Sequence, residues 1–230
     1  MLIRQNEADA KKRNRPVFKL WVRALATGLA AFVFGALYFF ARQFVKDGIW
    51  RFDLTIVNKS LGTTSLFLIA LSMFLTGVSI IFSKSGSKPL VYRKHHGLVG
   101  FWAGLAHGAV NHFLLPAVGL HAERKANALL SDAPGLIALA VFGAMAILSL
   151  SEVKGRVGGE RWRKLLRYAG YAGLILAVAH TGLLKWESWT NFFRTFDPVL
   201  PSLSLPVALF GAAVLLLRLA AWIAGKKRRA

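Results

Sequence analysis

Two histidines, His107 and His180, stand deep inside long apolar segments of the chain. Ionisable residues in such segments are costly in a membrane and usually serve a function. His107 follows Arg93 by 14 residues and His180 follows Arg167 by 13. At ~1.5 Å per helical residue, both therefore lie about 20 Å from the basic edge of their helix. Two imidazoles at one depth on neighbouring helices can take both axial positions of a heme iron.

Small residues surround these two histidines along the same helices. They let a flat macrocycle approach the backbone, although glycine and alanine also pack ordinary membrane helices tightly. In that second case the histidines only hydrogen-bond to neighbouring helices, and spacing alone leaves both interpretations open. The small residues are Ala103, Gly104, Ala106 and Gly108 on one helix, and Ala169, Gly170, Ala172, Gly173, Ala177 and Ala179 on the other.

The other four histidines are weaker candidates. His112 lies five residues after the first histidine and faces another direction, about 140° around an ideal helix. A hydrogen bond to a neighbouring helix explains it equally well. His121 is expected near the opposite membrane surface, where it has no evident partner for a second heme. The adjacent His95 and His96 are expected at the membrane interface, beside headgroups or an electron donor.

The composition indicates an integral membrane protein. Hydrophobic residues make up 55% of the 230 residues and the mean hydropathy is +0.49. The apolar residues lie in blocks of about 20, the length that spans a bilayer as a helix. We therefore expect an all-α fold, an integral membrane six-helix bundle. The expected spans are 17–40, 61–82, 95–118, 134–150, 165–184 and 205–223.

Positive charge is distributed unevenly between the connecting segments. Of the 30 Lys and Arg residues, 21 fall at one end of the expected bundle, eight at the other, and Arg218 within the last span. The positive-inside rule then places both termini in the cytoplasm, in a multi-pass protein of the inner membrane. The net charge of +20 faces anionic membrane lipid; without a recognised motif, nucleic acid is not an expected partner. Basic tails at 1–16 and 226–230 flank a transmembrane domain at 17–225.

The chain lacks the sequence features of several other redox proteins. It has no cysteine, which excludes iron–sulfur clusters and disulfides. It also has no dinucleotide-binding glycine motif and no sizeable soluble domain. FMN or FAD is therefore expected only in a partner protein, and the electron donor is a quinol or a separate flavoprotein reductase. No internal repeat is evident.

Two sequence patterns precede the two central histidines. The first is RKHHGL at 93–98, with His107 ten positions beyond the glycine. The second starts at a helix end, LSL at 148–150, crosses a basic loop at 152–161, and reads WRKLLR at 162–167 before His180. Over about residues 60–185 the chain resembles the ferric-reductase-like transmembrane domain. Within that family it is most similar to the heme-binding membrane subunits of bacterial methionine sulfoxide reductases.

This resemblance implies a membrane b-type cytochrome with one heme b between His107 and His180. It would be a ferric-reductase-like oxidoreductase or an electron-transfer subunit. Electrons would pass from a quinol or a cytoplasmic flavoprotein to a periplasmic redox partner or a metal ion. The sequence departs from the pattern at His96, where an apolar residue is usual, and at Leu166, where a heme-ligating histidine is usual. Leu166 cannot bind iron, so we expect a single heme.

Five basic residues lie at the expected cytoplasmic end: Arg93, Lys94, Arg163, Lys164 and Arg167. They offer a docking surface for an acidic electron donor, although the positive-inside topology also explains them.

A different function fits the same sequence, that of a non-redox assembly or packing subunit that keeps the fold and lacks heme. The leucine at position 166 favours it. A transporter is less favoured, because no buried carboxylates line the spans.

Overall fold

The computed structural model describes residues 2–82, 90–120, 128–150, 152–153, 156 and 159–227. Within these ranges the protein is helical and has no strand, which confirms the all-α fold. Six helices contain 20 or more residues each. They are α1 (Leu2–Asp47), α2 (Leu54–Phe82), α3 (Leu90–Ala109), α4 (Ala128–Leu148), α5 (Gly159–Thr195) and α6 (Ser204–Lys227).

Five of these helices are long and apolar enough to cross a membrane, which supports a multi-pass membrane protein. The exception is α5, which has the necessary length but a more polar composition, including two tyrosines and His180. Large apolar side chains are exposed along α1, among them Leu25, Leu29 and Leu37. Such a surface fits contact with lipid. The candidate spans are Phe18–Asp47, Leu54–Ser79, Tyr92–Ala117, Leu130–Leu148 and Ser204–Ile223.

Several helix boundaries differ from those expected from hydropathy. Residues 2–16, expected as a mobile tail, belong to α1, and α2 begins at Leu54 rather than at 61. Much of the segment 186–203, expected as a loop, continues α5 as far as Thr195. Hydropathy marks the part of a helix that suits lipid, whereas helices end at caps and at breakers such as Pro198. No glycine or proline interrupts the sequence from 183 to 197.

The far end of α3 is irregular. After Ala109 the chain passes into a π-helical turn, Val110–Leu114, and then a single α-helical turn, Leu115–Ala117. The N–H of Leu115 donates to the carbonyl of Val110, five residues back. Pro116, which has no N–H, lies within this last turn, and the helix ends one residue later at Ala117. Such π-helical turns often occur next to functional sites, and this one begins three residues after His107.

Asp53 caps the start of α2. Its Oδ1 accepts hydrogen bonds from the backbone N–H groups of Thr55 (3.0 Å) and Ile56 (3.3 Å) and from the Thr55 hydroxyl. Partial burial alone would raise the pKa of Asp53, but these hydrogen bonds and the neighbouring Arg51 outweigh it and lower the pKa. The cap therefore stabilises the fold while the carboxylate is charged.

We expect Asp53→Ala to lower the free energy of unfolding by about 1 kcal/mol, because two N–H groups lose their acceptor. The folded-state pKa lies below the unfolded one, so this contribution is present above about pH 4 and is lost as the pH falls through the folded-state pKa. Thermal unfolding in detergent at neutral and acidic pH measures both effects. Asp47→Ala, which removes only an exposed ion pair with Lys46, serves as the control and should change little. Equal Tm values for wild type and Asp53→Ala at pH 7 would contradict the capping role.

The four central helices form two hairpins, α2–α3 and α4–α5, that are built alike. In each hairpin, glycines of one helix face side chains of the other. A Cβ built on these glycines would lie between 2.7 and 3.5 Å from the side chain it faces, so only glycine allows this approach in the closest cases. Adding 73 to each residue number of the first hairpin gives the matching contact in the second. The matching contacts are Gly97–Ser72 with Gly170–Met145, Gly100–Ile69 with Gly173–Phe142, and Gly62–His107 with Gly135–His180.

The chain therefore contains an internal repeat, and the expectation of none is wrong. Few residues are identical between the halves, which is why the repeat is hard to see in the sequence. The shared pattern is Gly-x2-Gly-x6-His, at 97–107 in α3 and at 170–180 in α5. Glycines of α3 lie near Leu139 of α4, and Gly143 of α4 lies near Phe101, so α3 and α4 are antiparallel. The two hairpins thus point the same way and present equivalent faces to each other.

Candidate functional site

His107 is held by the first turns of α2. Its Nδ1 lies 3.0 Å from the carbonyl oxygen of Asn58 and 2.8 Å from the Oδ1 of the same residue. A carbonyl oxygen can only accept, so Nδ1 carries the proton and donates it. The Nε2 of His107 therefore keeps its lone pair. Asn58 is fixed in turn by a 3.3 Å hydrogen bond to Asn111, in the π-helical turn after α3.

His180 has the same arrangement in the second hairpin. Its Nδ1 lies 2.6 Å from the carbonyl oxygen of Ser131 in α4, so it too donates from Nδ1 and keeps a lone pair on Nε2. Each histidine lies 49 residues after the residue whose carbonyl it contacts. Among the described residues, neither Nε2 has a hydrogen-bond partner. Metal-ligating histidines characteristically donate one ring N–H to a backbone carbonyl and bind the metal through the other nitrogen.

Each imidazole also lies against a glycine, one helical turn after the residue that accepts its hydrogen bond. A Cβ on Gly62 would lie 3.1 Å from the ring of His107, and a Cβ on Gly135 would lie 2.7 Å from the ring of His180. Any other residue at position 135 would force the ring to move. The hydrogen bond and the glycine together fix where each imidazole lies and how its plane is turned.

Hydropathy and charge do not mark these supporting residues in the sequence. Asn58 was expected in a loop, because α2 was expected to begin at 61, and nothing in hydropathy marks Ser131 as different from other serines. The signal that could have found them is the offset of 73, which maps Asn58 onto Ser131 and Gly62 onto Gly135. The helices are long enough to carry the supporting residues beyond the apolar segments.

The helix segments that carry the two histidines are linked by contacts. Gly62 faces His107 and lies one turn from Leu66. Leu66 and Val178, which is two residues from His180, both lie close to Gly211 of α6. The fold thus brings together the two segments that carry the expected partners, although they belong to different hairpins.

The remaining histidines have other environments. His112 lies in the π-helical turn and is half-buried. His95 and His96, expected at an interface, are instead buried at the start of α3. His95 packs edge-on against Trp21 of α1, with ring centroids 4.9 Å apart, and the Nδ1 of His96 contacts the carbonyl of Tyr92 one turn back in its own helix. The weaker candidate His121 lies outside the described residues.

The described residues contain no group of three or more His, Cys, Asp or Glu side chains that could hold a metal ion. A bis-histidine heme needs only two protein ligands, because the porphyrin nitrogens supply the other four. The donor set of His107 and His180 fits that group in three respects: both are in the Nδ1–H tautomer, both keep Nε2 for a metal, and both are held by glycine-backed hydrogen bonds.

Most of the expected donor-docking residues lie around one cavity. Four of them, Arg93, Lys94, Arg163 and Arg167, line a cavity of about 1210 Å³ that extends between α2, α3, α4, α5 and α6. Lys164 does not line it, and instead forms an ion pair with Glu160, 2.9 Å away. We call this space the basic cavity. Leu166 lines it as well.

No protein-family model matches the chain, and no curated protein matches its sequence. The likeness to ferric-reductase-like domains therefore rests on the two sequence patterns alone.

Proposed function

We propose that this protein is a membrane b-type cytochrome that transfers electrons through one bis-histidine heme. The observation that carries the proposal is the matched pair His107 and His180. Each is oriented by a backbone carbonyl, seated on a glycine, and left with a free Nε2. A histidine that only bridged two helices would also donate a ring N–H, so the support comes from the repetition of the arrangement in both halves and from the Nε2 that each ring keeps without a partner among the described residues.

The internal repeat gives this pair additional support. The two hairpins supply one ligand each from the same position of the Gly-x2-Gly-x6-His pattern. A flat group with two equivalent axial sites suits two equivalent halves. When bound, a heme with both axial positions filled supplies one-electron redox chemistry and leaves no open site for oxygen.

The polypeptide's own part is to hold the ligands and exclude water. Donation from Nδ1 raises the basicity of Nε2 and fixes the plane of each ring. Apolar side chains of the central core, among them Leu66, Ala138 and Leu174, keep the surroundings dry, and a dry site lowers the reorganisation that accompanies a change in charge. The protein thus needs no moving part for electron transfer.

The positions that would bind a second heme are substituted. Fourteen residues before each central histidine stand Arg93 and Leu166, which are also related by the offset of 73. Neither side chain is an iron ligand, which supports the proposal of a single heme.

We further propose that six helices cross the inner membrane with both termini in the cytoplasm, from the uneven distribution of Lys and Arg. The electron donor is then a quinol or a flavoprotein at the cytoplasmic side, with any FMN or FAD carried by that partner. The acceptor is a periplasmic redox protein or a metal ion, and the chain acts as a ferric-reductase-like oxidoreductase or an electron-transfer subunit.

The test is the reduced-minus-oxidised visible spectrum of the purified protein, together with heme content per chain. We expect a b-type α-band and one heme per chain. Purified protein without an α-band, even after addition of hemin, would reject the cytochrome and favour the alternative, a membrane assembly subunit without heme. Two hemes per chain would reject the single-heme count but not the function.

A further inference from the structure

The basic cavity concentrates positive charge. Arg93 of α3, Arg167 of α5 and Arg218 of α6 all line it. None of the described residues that line it is acidic. Charged residues in the membrane normally pair with one another or with a ligand. The described residues of the cavity wall offer this cluster no carboxylate to pair with.

Arg218 is the most demanding of the three. It lies inside the last candidate span, is buried with 7% of its surface exposed, and donates from Nε and Nη2 to the hydroxyl of Tyr171, at 3.2 and 2.9 Å. Its Nη1 is buried and has no hydrogen-bond partner among the described residues. The guanidinium carbon also lies 5.4 Å from the centre of the Tyr171 ring, but neither the ring nor the hydroxyl neutralises the charge. The Nη1 donor of Arg218 therefore lacks a partner among the described residues, and its charge has no anionic one among those that line the cavity.

The rest of the cavity wall is apolar. Phe101, Phe142, Met145 and Leu215 belong to it, and Ile175 and Leu219 continue it toward exposed helix surfaces. The volume of about 1210 Å³ exceeds what a small anion occupies. The matching ligand has a negatively charged head and a long apolar tail.

We propose that the basic cavity binds an anionic phospholipid, with its phosphate at Arg218, Arg93 and Arg167 and an acyl chain along the apolar wall. Basic pockets between membrane helices commonly receive anionic headgroups. A neutral quinol would fill the apolar part but leave the three guanidinium charges uncompensated. The lipid links α3, α5 and α6, which belong to different parts of the fold, without using the histidine site.

The experiment measures lipid retained by the full-length purified protein with native mass spectrometry, after exchange into detergent containing either phosphatidylglycerol or phosphatidylcholine. We expect one phosphatidylglycerol per chain, with a preference over phosphatidylcholine of roughly tenfold or more. Arg218→Gln and Arg167→Gln should each reduce that preference by roughly tenfold. Arg167 is exposed, so its replacement keeps the test valid if Arg218→Gln fails to fold.

Two matched controls accompany these variants. Arg161→Gln changes an exposed arginine of the same helix that does not line the cavity, and should bind lipid as wild type does. Ala146→Trp, which fills the cavity, should expel the lipid, whereas Ala144→Trp on the exposed face of α4 should not.

Several outcomes would overturn the proposal. Equal retention of both lipids, or retention unchanged in Arg218→Gln, Arg167→Gln and Ala146→Trp, would show that the arginines do not select an anionic headgroup. Displacement of the bound lipid by millimolar inorganic phosphate alone would reduce the site to a simple anion site. A second heme, lost in Ala146→Trp, would assign the cavity to that heme instead. Heme content at His107 and His180 is measured separately, so failure here leaves the cytochrome proposal intact.

Discussion

Replacing His107 or His180 with alanine is expected to abolish heme binding. Each substitution would remove one of the two proposed axial ligands, and the remaining imidazole alone would not keep a low-spin, six-coordinate iron. The α-band of the reduced protein should disappear in both variants, and heme content should fall to near zero. Each imidazole contacts another helix through a hydrogen bond from Nδ1 to a backbone carbonyl. Removing the imidazole should therefore leave that other helix intact.

The control for this loss is His112→Ala. His112 is half-buried in the π-helical turn, five residues from His107, and has no role in the proposed ligation. The His112→Ala variant should retain full heme content, and so should His121→Ala. Loss of heme in His112→Ala with retention in His107→Ala would transfer the ligand role to the π-helical turn, and retention in both His107→Ala and His180→Ala would reject bis-histidine ligation.

A single methyl group on Gly135 should have nearly as large an effect. A Cβ there would lie 2.7 to 2.9 Å from three atoms of the His180 ring, so the ring must shift and the hydrogen bond from its Nδ1 to the carbonyl of Ser131 is lost. Loss of such a supporting hydrogen bond typically costs 10- to 100-fold in metal affinity. We expect Gly135→Ala to weaken heme binding by roughly that factor, measured by hemin titration of the apoprotein.

Gly143→Ala is the matched control for that experiment. It makes the same substitution in the same helix, but its Cβ would lie 3.6 Å from Phe101, an ordinary van der Waals contact. Heme affinity should be unchanged, while thermal stability in both variants shows whether the helix is intact. Equal heme affinity in Gly135→Ala and wild type would mean that the position of His180 in this structure is not the ligating one.

The helical membrane character of the chain could be predicted because it depends on local properties. Runs of about 20 apolar residues satisfy their backbone hydrogen bonds within one helix, whatever the helix packs against. Helix ends were less predictable. Asp53 caps α2, which begins at Leu54, seven residues before the apolar block at 61. A single capping residue is not visible in a hydropathy pattern. Asn58 therefore lies in the helix and not in the expected loop.

The internal repeat was missed for a related reason. The hairpins share the glycines that allow close helix contact and the histidines, but the facing side chains differ, as with Ile69 and Phe142. Equivalent positions are conserved in packing geometry and not in residue type. They become visible only when the contacts of Gly100 and Gly173 are compared in space.

The sequence by itself indicated an all-helical membrane protein in which His107 and His180 lie at similar distances along their helices from Arg93 and Arg167. Such distances follow from counting residues along a helix, which requires no partner. Only the tertiary structure decided which ring nitrogen remains free, because the deciding carbonyls of Asn58 and Ser131 lie 49 residues away on other helices. It likewise decided that Arg93, Arg167 and Arg218 share one cavity, since side chains distant in sequence meet only through the packing of whole helices.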